Sequence, residues 1–506
     1  MEISRRRLFR DSIGAGAALT LGAAAGGLRI PQPAQAASAN DGHALGFRSL
    51  TDEISLPGIP VDGRIPPWLE GVLLRNGPGL FEIGEQKLNH WFDGLAMLHA
   101  FAFAGGRVSY ANRFLQTSAY KAYRREGVMK YAEFGTDPCR QIFSGVSTIP
   151  VIGKIPNANV SIERLAGQFR ALTELPVPVS FDPHNLRTLG VDVELPQGRM
   201  GTAHPHHDPR TRERFSYEIE LVPPAGLRIV SERNGRRREL AWIPDDRPGY
   251  LHSFGLTDRF VVVFVQPWEF DLATFLSPDG GPIVKSFQWD GSQPARILLV
   301  DRKQGGVAET FELDPAFVFH HINSFEDGDD VVIDVCAHED ASIVDALYLK
   351  NLRKPGPSVP QAVPRRLTVR PGRPKVHSRE LADGNIELPR TDYATVNGRP
   401  YRYAYGVGVR NPRKSGFVDR VAKLDIKRGE QSFWQERGSF PGEPVFARRP
   451  GSTREDDGVL LSVVLDAGRK TSFLLVLDAR DMSELARASV PHHIPFGFHG
   501  VHAARG

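Results

Sequence analysis

Short apolar runs closed by Gly, Pro, Asp or Asn recur along most of the chain, among them Phe260 to Val265, Ala295 to Val300, Val331 to Val335, Val459 to Leu465 and Phe473 to Leu477. Runs of this kind, rich in β-branched and aromatic residues and bounded by turn formers, predict β-strands. Amphipathic helical periodicity is rare and is best developed over Ala119 to Lys130 and Ile343 to Asn351. Strands do not alternate with helices, which argues against a doubly wound parallel sheet and predicts an all-β protein. A chain of this length can close as one propeller with ~60 residues per blade or form two sandwiches, and no internal repeat chooses between them. Two basic segments, the Pro- and Arg-rich stretch from Arg353 to Lys375 and the run Arg236 to Arg238, are expected in a long surface loop and a turn.

Composition supports the strand-and-turn picture. The 506 residues include 50 Gly and 39 Pro, an excess without collagen-like period that supplies many tight turns. With 41% hydrophobic and 24% charged residues, the chain has apolar surface enough for a large core, which excludes global disorder and a small disulfide-stapled fold. A formal net charge of +4 is too weak a footprint for nucleic acid, so no such partner is expected.

Much of that charge sits at the start. Arg5, Arg6 and Arg7 precede Leu8 and Phe9, a weakly apolar stretch rich in Ala and Gly runs from Ile13 to Leu28, and Ala34-Gln35-Ala36 follows. The order of charged region, apolar region and small-residue cleavage site predicts a twin-arginine export signal over residues 1–36 and a single domain over 37–506. The expected location is therefore the periplasm, reached through the twin-arginine export machinery. The signal's five arginines (Arg5, Arg6, Arg7, Arg10, Arg29) stand against Glu2 and Asp11, leaving about +1 on the mature chain. No other segment approaches a membrane span of ~18 uninterrupted apolar residues, so the mature chain is expected to be soluble or peripheral. Of the two cysteines, Cys336 falls inside a strand pattern, Val331 to Ala337, and reads as a buried free thiol, although a pair with Cys139 is open to an exported protein.

Candidate chemistry concentrates in histidine. Four of the 16 His lie in strand-edge contexts rich in aromatic residues, Gly and Pro: His204 in TAHPHHDP, His252 in YLHSFGLTDRFVVVF, His320 in FVFHHINSFEDGDDVVID, and His499 in IPFGFHGVH. A lone strand-end His usually packs or hydrogen-bonds. The spacings HExxH and paired CxxC are absent, and so is the nucleophile elbow GxSxG. A metal site would have to be assembled from distant strands.

At these motifs the chain resembles the carotenoid cleavage oxygenases, and the likeness runs through the mature chain in LEGVLLRNGPGLFE, HWFDGLAMLHAF, EFGTDPC, RPYRYAYGVG, EPVF, EDDGVLLSVV and IPFGFHG. HSFGLT and EFGTDPC bring it nearer the branch holding the animal β-carotene oxygenases and the retinal pigment epithelium isomerohydrolase. The resemblance implies a seven-bladed β-propeller, with a few helices and long loops capping a non-haem Fe(II) on its axis. It implies His204, His252, His320 and His499 as ligands, with Glu174 in ALTE, Glu387 in NIELP and Glu443 in GEPVF behind three of them. His206 and His321 fall off the motif positions and are read as structural. Imidazole suits Fe(II), a carboxylate accepting a ligand's ring N–H fixes its tautomer, and open positions allow dioxygen to be activated.

The implied function is cleavage of a conjugated double bond in a carotenoid or apocarotenoid, with O2 as co-substrate. An apolar polyene is then the expected partner, held in an apolar tunnel, and Ile142 to Ile155 is expected as a lipid-facing entrance making peripheral membrane contact. The alternatives are a stilbenoid-cleaving dioxygenase, with Tyr120 and Lys121 as candidates to grip a phenol, and a non-catalytic lipid-binding propeller. Redox-neutral isomerisation at the same iron ranks lower.

Overall fold

The computed structural model describes residues 42–129, 131–137, 157–174, 177–191, 199–277, 281–410 and 416–505. The export signal, Cys139 and the stretch Ile142 to Ile155 lie outside them. Seven antiparallel sheets of four or more strands follow one another along the chain and form the blades of a propeller. The predicted strands are all present, as Phe260–Val265, Ala295–Asp301, Asp330–His338, Gly458–Asp466 and Thr471–Asp478.

Their uninterrupted apolar character has a packing cause. Blades stack face to face, so a central strand is buried on both sides and need not alternate; every residue of Phe260–Val265 is buried. Wedges of core fill the gaps between neighbouring blades. Val262 and Ile297 of the fourth meet Ile333 and Leu367 of the fifth, and Leu461 and Val476 of the seventh meet Leu73 and Phe101 of the first.

The ring is closed twice. Strand Gly500–Ala503 pairs with Gly71–Leu80 in blade 1, joining Val72 to Ala503 and Arg75 to Gly500. Val61–Gly63, near the other end of the chain, pairs with Glu484–Ser489 in blade 7. Each closure satisfies the hydrogen-bonding groups of a strand that would otherwise end as a free edge.

The predicted first helix is Ser118–Glu126, capped by Thr117 and ended by Gly127 in the left-handed region at φ 67°. The second is two short helices, Ser342–Ala346 and Leu349–Leu352. They belong to a cap over one end of the ring. The His90 ring hydrogen-bonds the Val344 carbonyl at 2.9 Å, the Leu349 N–H donates to the Asn89 carbonyl at 2.8 Å, and the Val284 N–H donates to the Phe134 carbonyl at 3.1 Å.

Two sequence expectations are corrected. Arg353 to Lys375 is not a loop throughout, because Val363–Arg370 is a strand of blade 5 and Arg373–Glu380 its outer neighbour. Arg366 makes a two-point ion pair with buried Asp334 on the adjacent strand, at 2.8 and 2.7 Å, while Leu367 and Val369 enter the core. Arg236 to Arg238 do not form the turn. They begin the exposed outer strand Arg236–Pro244 of blade 3, where Arg237 pairs with Glu218 at 2.7 Å. The outer strands Arg236–Pro244 and Arg373–Glu380 carry their charge on an exposed sheet edge, as is common where unpaired strand groups face water. Arg366, by contrast, lies on an inner strand and is neutralised by Asp334.

Candidate metal centre

The functional side chains sit where the first strand of a blade departs from regular pairing. In blade 3 that strand is split into Arg199–Gly201 and His206–Asp208, both pairing with Glu213–Glu220, and His204 occupies the gap. His252 precedes Gly255–Leu256 in blade 4, and His320 lies at a register shift in Phe317–Asp327 of blade 5. Glu387 opens Glu387–Arg390 in blade 6, beside another register shift. Glu443 falls between Ser439–Pro441 and Val445–Arg448 in blade 7, and His499 precedes the closing strand. A bulge re-aims the side chain it carries, and here these side chains are aimed at one another.

The ligand-type nitrogens of His204, His252, His320 and His499 all lie within 4.8 Å of one another. Their Nε2 atoms approach to 3.0 Å in the His204–His252 pair and 3.2 Å in the His320–His499 pair. Behind three rings stand carboxylates: His252 Nδ1 to Glu174 at 2.6 Å, His320 Nδ1 to Glu387 at 2.6 Å, and His499 Nδ1 to Glu443 at 2.7 Å. His204 has no carboxylate behind it among the described residues; its backbone N–H is held by Thr202 Oγ1 at 2.8 Å.

Electrostatics decide where the protons are. Burial would raise the Glu387 and Glu443 carboxyls. The His320 and His338 contacts of Glu387, and the Arg390, His499 and Arg75 contacts of Glu443, outweigh burial and hold both well below the usual carboxylate range. Ionised, each carboxylate only accepts, so the ring proton of His320 and of His499 is on Nδ1. Burial also pushes three of the imidazoles down, His204 well below its ordinary value, His320 below it and His499 to about 3, so these three rings are neutral. The Nε2 atoms of His320 and His499 then present lone pairs to each other at 3.2 Å, an arrangement that calls for a cation between them. Two nitrogens bound side by side to one first-row cation at about 2.1 Å would be about 3.0 Å apart, so the donor set fits such an ion.

Residues beyond the seven named from sequence complete the surroundings. The Tyr250 hydroxyl donates to Glu174 and lies 3.3 Å from His252 Nδ1. His338 Nε2 is 3.4 Å from Glu387, and Arg75 and Arg390 both bind Glu443. None of Tyr250, His338, Arg75 and Arg390 carries a sequence signal that separates it from packing or surface. His206 and His321 turn elsewhere: the His206 ring hydrogen-bonds the Phe254 carbonyl at 2.8 Å and the His321 ring meets Ser253 Oγ at 2.9 Å.

On the capped side the rings are aromatic. Phe319 stands 5.4 Å from the His252 ring, and Phe92 lies 6.1 Å from Phe319 and 5.4 Å from Phe498. Phe92 and Phe134 are only partly buried. Tyr120 is remote from this wall: it stacks on Phe114 at 4.6 Å within another core cluster, and Lys121 is exposed.

Fold and site together define a propeller with an axial four-histidine centre of metal-binding type. The chain belongs to the family of the retinal pigment epithelial membrane protein RPE65, the carotenoid oxygenase family, whose model matches residues 47–504. It is similar to the mitochondrial carotenoid-cleaving dioxygenase of Macaca fascicularis, with 34% identity over 87% of this chain and 90% of that one. It is also similar to the carotenoid isomerooxygenase of Galleria mellonella, with 33% identity over 90% and 95% of the two chains. Among solved structures, a mutant of Synechocystis apocarotenoid oxygenase superposes with a TM-score of 0.83 and 27% identity, covering 93% of this chain and all of that one.

Proposed function

We propose that this protein is an Fe(II)-dependent dioxygenase that splits a conjugated carbon–carbon double bond of a carotenoid or apocarotenoid into two carbonyl products. The observation that carries the metal reading is the pair of facing lone pairs on His320 and His499, 3.2 Å apart. Iron is favoured by the ligand set, four neutral imidazoles with no anionic group among them, and by the dioxygenases among the relatives. When bound, Fe(II) supplies redox chemistry and open coordination positions at which dioxygen is activated.

This chain's own residues do the rest. His204, His252, His320 and His499 would hold the ion, and Glu174, Glu387 and Glu443 keep the proton of three rings on Nδ1, leaving Nε2 free to bind. Phe92, Phe319 and Phe498 give the site a dry, apolar wall against which a polyene can lie without hydrogen-bonding handles. One oxygen atom goes to each carbonyl carbon and the electrons come from the cleaved bond, so no external reductant is required.

The stilbenoid alternative needs polar groups gripping a phenol, and the candidates Tyr120 and Lys121 are packed in another cluster or exposed. A merely lipid-binding propeller would leave the four converging imidazoles without a purpose. The test is incubation of Fe(II)-loaded protein under 18O2 with a C40 carotenoid, an apocarotenal and a hydroxystilbene, products being identified by mass. Labelled carbonyl products from a polyene are expected. Cleavage of the stilbene alone, or isomerised polyene without label, would overturn the proposal.

Periplasmic export belongs to the same reading, supported by Arg5, Arg6 and Arg7 and the Ala34-Gln35-Ala36 site. So does peripheral contact with the membrane, where an apolar polyene dissolves. In a Gram-negative host, cell fractionation should find the full-length chain in the periplasm and an Arg6→Lys/Arg7→Lys double variant in the cytoplasm. Equal distribution of the two would remove export from the proposal.

A further inference from the structure

The three carboxylates are held differently. Glu174 is met by a Tyr hydroxyl, and Glu387 by His338 and the Leu388 N–H at 2.7 Å. Glu443 alone among them is met by cations. Its Oε1 accepts from His499 Nδ1 and from Arg390 Nε, each at 2.7 Å, and its Oε2 accepts from Arg75 and from the Gly500 N–H at 2.9 Å. Both oxygens thus carry two hydrogen bonds, and the residue is fully buried.

The same guanidiniums reach the chain on either side of His499. Arg75 Nη2 donates to the Phe498 carbonyl at 3.1 Å, and Arg390 Nη2 donates to the Gly500 carbonyl. Two planar forks from different blades therefore join the carboxylate behind His499 to the carbonyls of the residues on either side of it, Phe498 and Gly500. Arg75 lies on Gly71–Leu80 of blade 1, and Arg390 ends Glu387–Arg390 of blade 6, the strand that begins with the carboxylate behind His320. Between those ends, Leu388 takes the left-handed conformation, φ 49°, at the register shift, a strained state for a branched side chain. That kink lets one four-residue strand serve two ligand histidines.

We propose that Arg75 and Arg390 are positioning residues that fix the orientation of His499 toward the metal through Glu443 and the flanking carbonyls. This rests on the metal reading above. Two effects of removing a guanidinium oppose each other. Loss of positive charge makes Glu443 a stronger acceptor, which raises the donor strength of His499. Loss of the fork frees both the carboxylate and the backbone of the ligand. Orientation dominates, because a planar fork holds two acceptors in one fixed geometry, which separate solvent molecules in its place would not.

Arg390 is the residue to test, since its side chain is 30% exposed whereas that of Arg75 is 5%. Wild type, R390K, R390Q and R390M are loaded with Fe(II) and, separately, with Co(II). Metal release to a chelator, the Co(II) visible spectrum and metal-free melting temperature are measured. R390M and R390Q should release metal roughly 10–100-fold faster, the range for losing a group that orients a ligand, with shifted Co(II) bands, and R390K should recover part of both. Unchanged release and spectrum in R390M and R390Q, or slower release, would overturn the proposal, as would a lowered melting temperature with release and spectrum unchanged. If wild type itself held neither ion, the metal reading would fail instead. If R390M does not fold, R390Q is judged by the same measurements.

Discussion

Three of the four ligand-type histidines depend on a carboxylate that fixes the ring proton, and those carboxylates differ in how much else they hold. Glu174 touches one ring and one hydroxyl, so E174Q should weaken metal retention about 10–100-fold with little change in melting temperature. E443Q should do the same and also destabilise the fold by about 3–5 kcal/mol, because it leaves the buried Arg75 guanidinium facing a neutral amide and weakens the hold on partly exposed Arg390. Metal content after dialysis and thermal melts of the two variants separate the effects, and equal melting temperatures would contradict the arginine contribution. H320A removes one of the four converging imidazoles, so its metal content and cleavage activity should both fall to background. Full activity in metal-depleted H320A would refute the site. The four histidines and three glutamates could be named from the motifs that surround them. Tyr250, His338, Arg75 and Arg390 could not, since a Tyr in a strand or an Arg in RNGPG reads equally well as packing or surface.

Strands are placed by burial and their interruptions by the site. The pattern of apolar runs located Phe260–Val265 residue for residue, because a blade buried on both faces demands a continuous apolar run. It misjudged Arg353 to Lys375, where an ion pair between Arg366 and Asp334 satisfies charge inside a sheet. The interruptions at His204, Leu388 and Glu443 have no local signature, since a bulge is defined by its partner strand. Close approach matters as much at this scale. At Gly77 on Gly71–Leu80 an added Cβ would lie 2.4 Å from the Gly497 Cα, in the segment leading to His499. The Asn76 N–H donates to the His499 carbonyl at 2.9 Å and the Phe498 N–H to the Asn76 carbonyl at 3.1 Å, so this segment cannot yield without moving the ligand. G77A should cost about 1–3 kcal/mol, as overpacking does, and speed metal release. G58A, where an added Cβ meets nothing within 4 Å, should change neither. Chelator kinetics and melts on both variants check this, and a silent G77A would refute it.

The whole molecule concentrates buried neutral imidazoles, and this sets its response to acid. Burial lowers His90 and His206 to about 4, and His99, His321 and His499 to about 3. An unfolded histidine titrates near 6.5, so between pH 6.5 and 4 the unfolded chain takes up protons the folded chain refuses. Each such group removes up to about 1.4 kcal/mol of stability per pH unit as pH falls. Asp93, raised by burial to about 6, and Glu133, also raised by burial, act in the opposite sense. Burial also lowers His204, His320, His492, His493 and His502 and raises Glu269, Glu326 and Glu455, so lowered imidazoles outnumber raised carboxyls. The metal-free protein should therefore lose melting temperature steeply from pH 7 to pH 5, and a flat or rising profile would contradict the balance. What the sequence by itself determined is local: which segments are strands, where the turns fall, and, through motifs in a familiar order, which histidines and glutamates deserve attention. Only the tertiary structure decided that residues from Glu174 to His499 meet at one axis, and that Val72 pairs with Ala503 to close the ring. It also decided that two arginines from different blades grip one carboxylate. The physical reason is that apolar patterning reports burial along a strand, whereas the meeting of strand ends depends on twist, bulges and closure summed around seven blades.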